Sequence, residues 1–513
     1  MSRKYNISYF YKTSYFHINI FLIILLAAIL RFYNLPENFV FAGDEELQAI
    51  LAQSIVNNFH IIWIGVNAAH LGFYLGPYWT YFTSLWLYLS DGDPLITGFI
   101  SASIGVITTT VIVLVGSLVF SRWVAISAGL LYATLPLMVF YDQRYWNPSP
   151  IPLLTLLMFL SLYRLKQNPK MAILFSLSFG MVFHTHLSLF PILFVALFWI
   201  IKEKIKLSRK IIFFSMCSFI LMLAPLIAFD YFHKGSNITT PLRFRAITSD
   251  EVNKIKPLFH FQALFQTLGR VWYLKPPSLN SDEVIAQCAP SSRTDTKKEL
   301  VMYSERFNPP FLLSLLGATV LLLFLINRQT FQKNSHFLLG LFLATIMVSF
   351  LLFPGPSFEY YLLGTFPLLL FLPGIFLGYF RKFKFVIVSA VIMLSVLGIF
   401  SVLTNMADFG LTNKMILIEQ VIAQTGSEPF ELKQTGICHT YEGWRYLFAL
   451  QGRTPERADS DEGMGWLYEE EITKAPARYT VIMSESRVPV WFDTANATII
   501  SSGGFTAYIF KNY

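Results

Sequence analysis

Arg31-Phe32-Tyr33-Asn34-Leu35-Pro36, and a few residues later Phe41-Ala42-Gly43-Asp44-Glu45-Glu46, form the stretch that decides how this chain folds. An apolar run, 17–32, leads into it and ends around Arg31. Three consecutive acids then stand at the lip of a first membrane helix, where holding them near hydrocarbon is costly. Between Phe32 and Ser121 there is no Lys or Arg, while Glu37, Asp44, Glu45, Glu46, Asp91 and Asp93 all fall there. Cytoplasmic loops are the ones that collect Lys and Arg, so this segment is expected outside. The apolar stretch 74–89 must then return to the side it left. Its aromatic residues (Tyr74, Tyr78, Trp79, Tyr81, Phe82, Trp86, Tyr88) suit a helix lying in the interface, not a span.

The rest of the chain follows from that placement. Of 513 residues 54% are hydrophobic and only 14% are charged. A soluble domain carries about 25% charged residues, so the composition is that of a polytopic membrane protein. The net charge of +8 sits in short clusters between apolar segments, which is a topology signal and not a nucleic-acid one. The first stretch lacks a small-residue cleavage site and is read as a retained span. With 17–32, the stretches 95–119, 123–141, 149–164, 171–183, 187–201, 211–229, 309–326, 336–353, 360–379 and 385–403 give eleven spans. Inside loops then carry Arg122, the Arg164–Lys170 and Lys202–Lys210 groups, Arg328, Lys333 and Arg381–Lys384. Short outside loops carry only Arg144. Loop 230–308 is basic yet external, and loops above roughly 60 residues escape the rule.

Residues 1–404 are thus read as one membrane domain with external loops 33–94 and 230–308. Residues 405–513 read as a soluble extracytoplasmic α/β domain. Positions 413–425 have helical spacing, and Tyr479-Thr480-Val481-Ile482-Met483 and Ala507-Tyr508-Ile509-Phe510 have strand character. Cys288 and Cys438 both fall in external regions, so a disulfide and two unpaired thiols are equal alternatives. Asn237-Ile238-Thr239 and Asn496-Ala497-Thr498 match the N-glycosylation pattern.

Four external loops carry unusual polar residues. The first holds Asp44, Glu45 and Glu46, whose charges also favour a helix N-terminus, and His70. The second is Tyr141-Asp142-Gln143-Arg144-Tyr145-Trp146-Asn147-Pro148. Charges bordering hydrocarbon are usually paired or functional, and a brace within the loop, Asp142–Arg144 or Asp142–Gln143, is the structural alternative. Asn147-Pro148 also suits the N-cap and first position of the next helix. The third is His184-Thr185-His186, whose imidazoles share a side only in an extended segment. The fourth brings Glu359 and Tyr360 to the membrane edge. His70, Asp142, Asn147, His184, His186, Glu359 and Tyr360 are the candidate substrate-binding residues.

No P-loop, dinucleotide glycine motif, G-x-S-x-G or HExxH is present, so a nucleotide-activated donor has no obvious site. A sugar on a polyprenyl phosphate needs none. It requires a base for the acceptor hydroxyl and neutralisation of the departing phosphate. Asp44 suits the first task, with Glu45 beside it. Arg31 and Arg144 suit the second, with Arg243, Arg245 and Arg270 of the long loop as further cations.

The order of these motifs resembles the GT-C glycosyltransferases, and within them the protein mannosyltransferase and aminoarabinose transferase superfamily. Arg31-Phe32-Tyr33-Asn34-Leu35, then Gly43-Asp44-Glu45, then the aromatic Leu75-Gly76-Pro77-Tyr78-Trp79, and a loop closing in Asn147-Pro148 carry the likeness, chiefly over residues 15–230. The resemblance implies a GT-C membrane fold, with Asp44 as catalytic base. Relatives often have a second carboxylate, frequently Asp-Pro, where Asn147 stands here; Asp142 lies five residues earlier. Relatives are mixed in their use of a divalent metal, so no metal ligand is assigned. The expected activity is inverting transfer of a sugar from polyprenyl phosphate to a hydroxyl of a glycan, lipid or protein. The rival is a transporter or flippase of a lipid-linked sugar. A non-catalytic acceptor-binding subunit, indifferent to Asp44, is a third reading.

Overall fold

The computed structural model describes residues 7–59, 61–67, 73–240, 257–275, 309–353, 358–405, 407–435, 443–473, 475–486, 490 and 492–512. It is a helical bundle with a small sheet at its C-terminal end. Among the described residues five helices are long and apolar enough to cross a bilayer: Leu95–Phe120, Arg209–Phe232, Asn334–Leu351, Glu359–Tyr379 and Arg381–Leu403. A bent pair, Arg122–Thr134 and Pro136–Gln143, makes a sixth. Five shorter apolar helices, Phe16–Phe32, Ile151–Arg164, Met171–Thr185, Leu187–Lys202 and Phe311–Ile326, occupy the other positions at which spans were expected. Phe213, Leu221, Phe385 and Phe400 are more than half exposed on the outside of the bundle. Apolar surface on that scale suits lipid, not water, and the chain is an integral multi-pass membrane protein.

Local chemistry sets the breaks. Pro136 has no N–H to give the preceding turn and drives Leu135 into extended geometry, φ −69° and ψ 129°. The helix axis therefore turns by 63° there, and the chain reaches Asp142 and Arg144 at one end of the bundle. The next helix begins at Ile151 with Pro150 as its cap, so Asn147 and Pro148 lie in a turn before it and do not start it. The aromatic helix is short, Tyr78–Leu89. At ~1.5 Å per residue it is far too short to span, in keeping with an interfacial element.

The C-terminal sheet has five strands: β1 Phe430–Gln434, β2 Arg457–Ala458, β3 Tyr479–Glu485, β4 Thr498–Ser502 and β5 Phe505–Lys511. Their order is β2-β1-β3-β5-β4. β1 is parallel to β2 and β3, and β5 is antiparallel to β3 and β4, with Val481 opposite Ile509. Alternate residues Phe430 and Leu432, Val481 and Met483, and Phe505, Ala507 and Ile509 are buried, as a one-faced sheet requires. The helix Leu411–Thr425 packs its Leu417, Ile418 and Val421 into the same core. That core continues without a break into Leu35, Phe39, Phe41, Trp79 and Tyr145 of the bundle.

Candidate functional site

Asp44, Glu45 and Glu46 occupy the first turn of the helix Gly43–Asn58. Successive side chains on a helix diverge by about 100°, so the three acids meet three different environments. Glu45 is 2% exposed and lies against Arg144, whose Nη2 and Nε donate to it at 3.0 and 3.3 Å. Its other oxygen accepts the Ala42 N–H at 3.2 Å, closing the helix start. Burial pushes its carboxyl above the ordinary range, Arg144 pulls it back, and the charge of Asp44 adds to the rise. Glu46 is fully buried and faces the C-terminal domain. Asp44 is exposed into a cavity of about 290 Å³.

Four of the expected positions meet at that cavity: Asp44, Asn147, His186 and Tyr360 line it, with Trp146 and Tyr361. Apolar residues, Leu75, Ile346, Phe350 and Phe353 among them, also line it. Asn147 Nδ2 reaches the His184 carbonyl at 3.5 Å. His186 is extended, φ −158° and ψ 130°, and its Nδ1 accepts the Ser188 N–H at 3.2 Å. In the neutral ring the proton then sits on Nε2, leaving a hydrogen-bond donor at the cavity wall. Tyr360 packs edge-on against Trp146, centroids 4.7 Å apart, and Trp146 carries the Arg144 guanidinium over its face at 4.4 Å. Trp146, Tyr361, Asn67, Ser188 and Ser349 were not among the expected site residues. Of these, Trp146, lying between Arg144 and Asn147, and Tyr361, beside Glu359 and Tyr360, carried a signal in the sequence.

Other expected positions serve the frame around the cavity. Arg31 is fully buried and its Nη2 pairs with Asp142 at 2.7 Å. It also donates to the Ala27, Tyr132 and Ala133 carbonyls, and Tyr132 donates its hydroxyl to Asp142. The partner of Asp142 is thus Arg31, 111 residues away, and not Arg144. His184 stacks on Tyr78 at 4.3 Å, accepts the Tyr78 N–H at Nδ1 and donates from Nε2 to the Met222 carbonyl. It fastens the aromatic helix to two others, while His186, two residues on, faces the cavity. Glu359 accepts the Tyr141 hydroxyl at 2.8 Å and pairs with Arg270. His70, Arg243, Arg245, Cys288 and Cys438 lie outside the described residues. Asn237 accepts from the Tyr74 N–H at 2.6 Å and donates to its carbonyl, so the amide of that glycosylation pattern is in structural use.

Among the described residues no three of His, Cys, Asp and Glu converge as metal ligands. Among the described residues that line the cavity, Asp44 and His186 are of those types.

No protein-family model matches the chain. No curated protein matches it in sequence. The fold is similar to that of solved membrane enzymes. ArnT from Cupriavidus metallidurans in the apo state superposes with a TM-score of 0.57 at 10% identity, covering 96% of this chain and 97% of that one. The same protein bound to undecaprenyl phosphate gives 0.56 at 9% identity over the same shares. The apo oligosaccharyltransferase of Archaeoglobus fulgidus gives 0.52 at 12% identity, over 92% of this chain and 70% of that one. Both are GT-C glycosyltransferases, and this chain has their fold.

Proposed function

We propose that this protein is an inverting glycosyltransferase that moves a sugar from a polyprenyl-phosphate donor to an acceptor hydroxyl. The observation that carries the reading is the division of labour among the three acids. Glu45 and Glu46 are buried and partnered, while Asp44 alone of the three lines a cavity that both apolar side chains and hydrogen-bonding groups border. A carboxylate placed there takes the acceptor proton. The acceptor oxygen bonds to C1, the C1–O bond to phosphate breaks with its electron pair, and polyprenyl phosphate departs. We assign the Nε2–H of His186 and the amide of Asn147, both lining the cavity, to hydrogen bonds with the sugar or the leaving phosphate. Arg144, stacked on Trp146 and paired with Glu45, adds positive charge beside the cavity. We assign Arg31, closed off by Asp142, to the frame and not to the phosphate. The undecaprenyl phosphate bound by the ArnT neighbour supports a lipid-phosphate donor, and the charge pattern of the loops supports an outer-face site.

The test uses the full chain in lipid nanodiscs with a panel of undecaprenyl-phosphate sugars, following release of undecaprenyl phosphate. Asp44→Asn should lower kcat by about 10²–10⁴-fold. Release that survives unchanged in that variant removes the base assignment. Passage of intact donor across a bilayer without bond cleavage favours the flippase reading instead. Labelling of position 44 from the cytoplasmic side contradicts the outer-face placement.

A further inference from the structure

We propose that the C-terminal domain is a working part of the active site, with Glu46 and Lys414 as positioning residues that fix the turn carrying Asp44; this rests on Asp44 being the base.

The contacts lie on both sides of Asp44. On the N-terminal side, Lys414 is fully buried and its Nζ donates to the Phe41 carbonyl at 2.6 Å. One turn earlier on the same helix, the Leu411 N–H donates to the Phe39 carbonyl at 2.9 Å. On the C-terminal side, Glu46 accepts the N–H groups of Gly443 and Tyr446 at 3.2 and 3.0 Å. Tyr446 then donates its hydroxyl to the Gly92 carbonyl at 2.7 Å, tying the aromatic helix's exit to the same point. The four residues Ala42–Glu45 therefore run between two anchors that both belong to the distant end of the sequence.

Energetics make this arrangement specific. A buried carboxylate and a buried ammonium each lose several kcal/mol of hydration, which apolar residues of the same volume would not. An apolar contact alone also allows sliding, whereas these donors and acceptors fit in one register. Helix ends fray, and these contacts hold the chain on both sides of the first turn, at the Phe39 and Phe41 carbonyls and at the Glu46 carboxyl. Misplacing a catalytic group by about 1 Å can cost on the order of 10²-fold in rate. Gly410 marks how closely the two parts approach: a Cβ there would fall on the Glu37 carbonyl oxygen.

Three variants of the full chain in phosphatidylethanolamine/phosphatidylglycerol nanodiscs test the idea: Glu46→Ala, Lys414→Met and Gly410→Ala. The last lifts the domain without removing any polar group, and it serves if either buried-charge variant fails to fold. Hydrogen exchange across residues 37–50 should rise in each, while the helix Leu95–Val115 keeps its wild-type protection. With undecaprenyl-phosphate mannose as probe, kcat should fall at least about tenfold with the donor KM within about threefold. Unchanged exchange at 37–50 overturns the clamp outright. Raised exchange with wild-type kcat, or a change in KM alone, overturns the positioning role. If the wild type turns over no donor, the fault lies in the proposed activity, and the exchange result still decides the clamp.

Discussion

A single helical turn carries three identical charges, and their environments separate them. Asp44 is exposed and lines the cavity, whereas Glu45 and Glu46 are buried and hydrogen-bonded. The same contrast holds for the cations, since Arg31 is enclosed by Asp142 and three carbonyls. Removing one member of a buried pair strands the other. Arg31→Met should therefore cost about 3–5 kcal/mol, read as a fall in the melting temperature of the detergent-solubilised protein. The double variant Arg31→Met/Asp142→Leu should recover most of that loss. A single variant as stable as wild type would refute the brace. At the cavity, His186→Phe keeps the ring contacts with Tyr360 and Tyr361 and deletes only the hydrogen bonds. One lost bond to a charged group is worth about 1.5–3 kcal/mol, so kcat should drop by roughly 10–10²-fold with melting temperature nearly unchanged. An unchanged kcat would remove His186 from the reaction.

Whole elements were easier to read from the chain than their contacts. Apolar length located the helices, and the aromatic run 74–89 was separable from the spans by charge alone. The strands at 479–483 and 507–510 followed from alternation and lie within β3 and β5. What could not be read was pairing across long separations. Asp142 and Arg144 are neighbours in sequence, yet the bend at Pro136 sends them to Arg31 and Glu45. Asn147 carries the signature of a helix cap, but the helix starts later, at Ile151, and Asn147 lines the cavity with its amide Nδ2 at the His184 carbonyl. The close approach of the aromatic helix to His184 was equally silent. At Gly76 a Cβ would fall on the imidazole, and the Gly76 N–H donates to the Phe183 carbonyl at 2.8 Å. Gly76→Ala must push the helix start away from His184. It should raise hydrogen exchange at residues 74–80 and lower donor turnover about tenfold or more. Wild-type exchange there would mean that the imidazole simply moves aside.

At the scale of the molecule, the junction between the bundle and the sheet should respond to pH. Burial pushes Glu46 up to about 7 from the ordinary 4.5, against the pull of the Tyr446 and Gly443 N–H groups, Lys414 and Arg445. Burial pushes Lys414 down to about 7 from 10.5, opposed by Glu46, Glu45 and Glu485. The signs follow from proton binding. Between 4.5 and 7 the folded state holds a proton on Glu46 that the unfolded state has lost. The contribution of Glu46 is therefore complete below 4.5 and is lost as pH rises through 7. Between 7 and 10.5 the unfolded state holds a proton on Lys414 that the folded state lacks. That contribution is complete above 10.5 and is lost as pH falls through 7. The two groups together make the junction weakest near neutrality and firmer on either side. Glu45, also raised by burial, adds to the acid arm, so the informative quantity is the difference between variant and wild type. Protection factors at 443–450 should show Glu46→Gln flattening the acid arm and Lys414→Met flattening the alkaline arm. Each arm changes by at most about tenfold per pH unit for one proton. Parallel profiles for both variants and wild type would mean that the two groups keep their ordinary titration, and that the register of the domain is set by its apolar core alone.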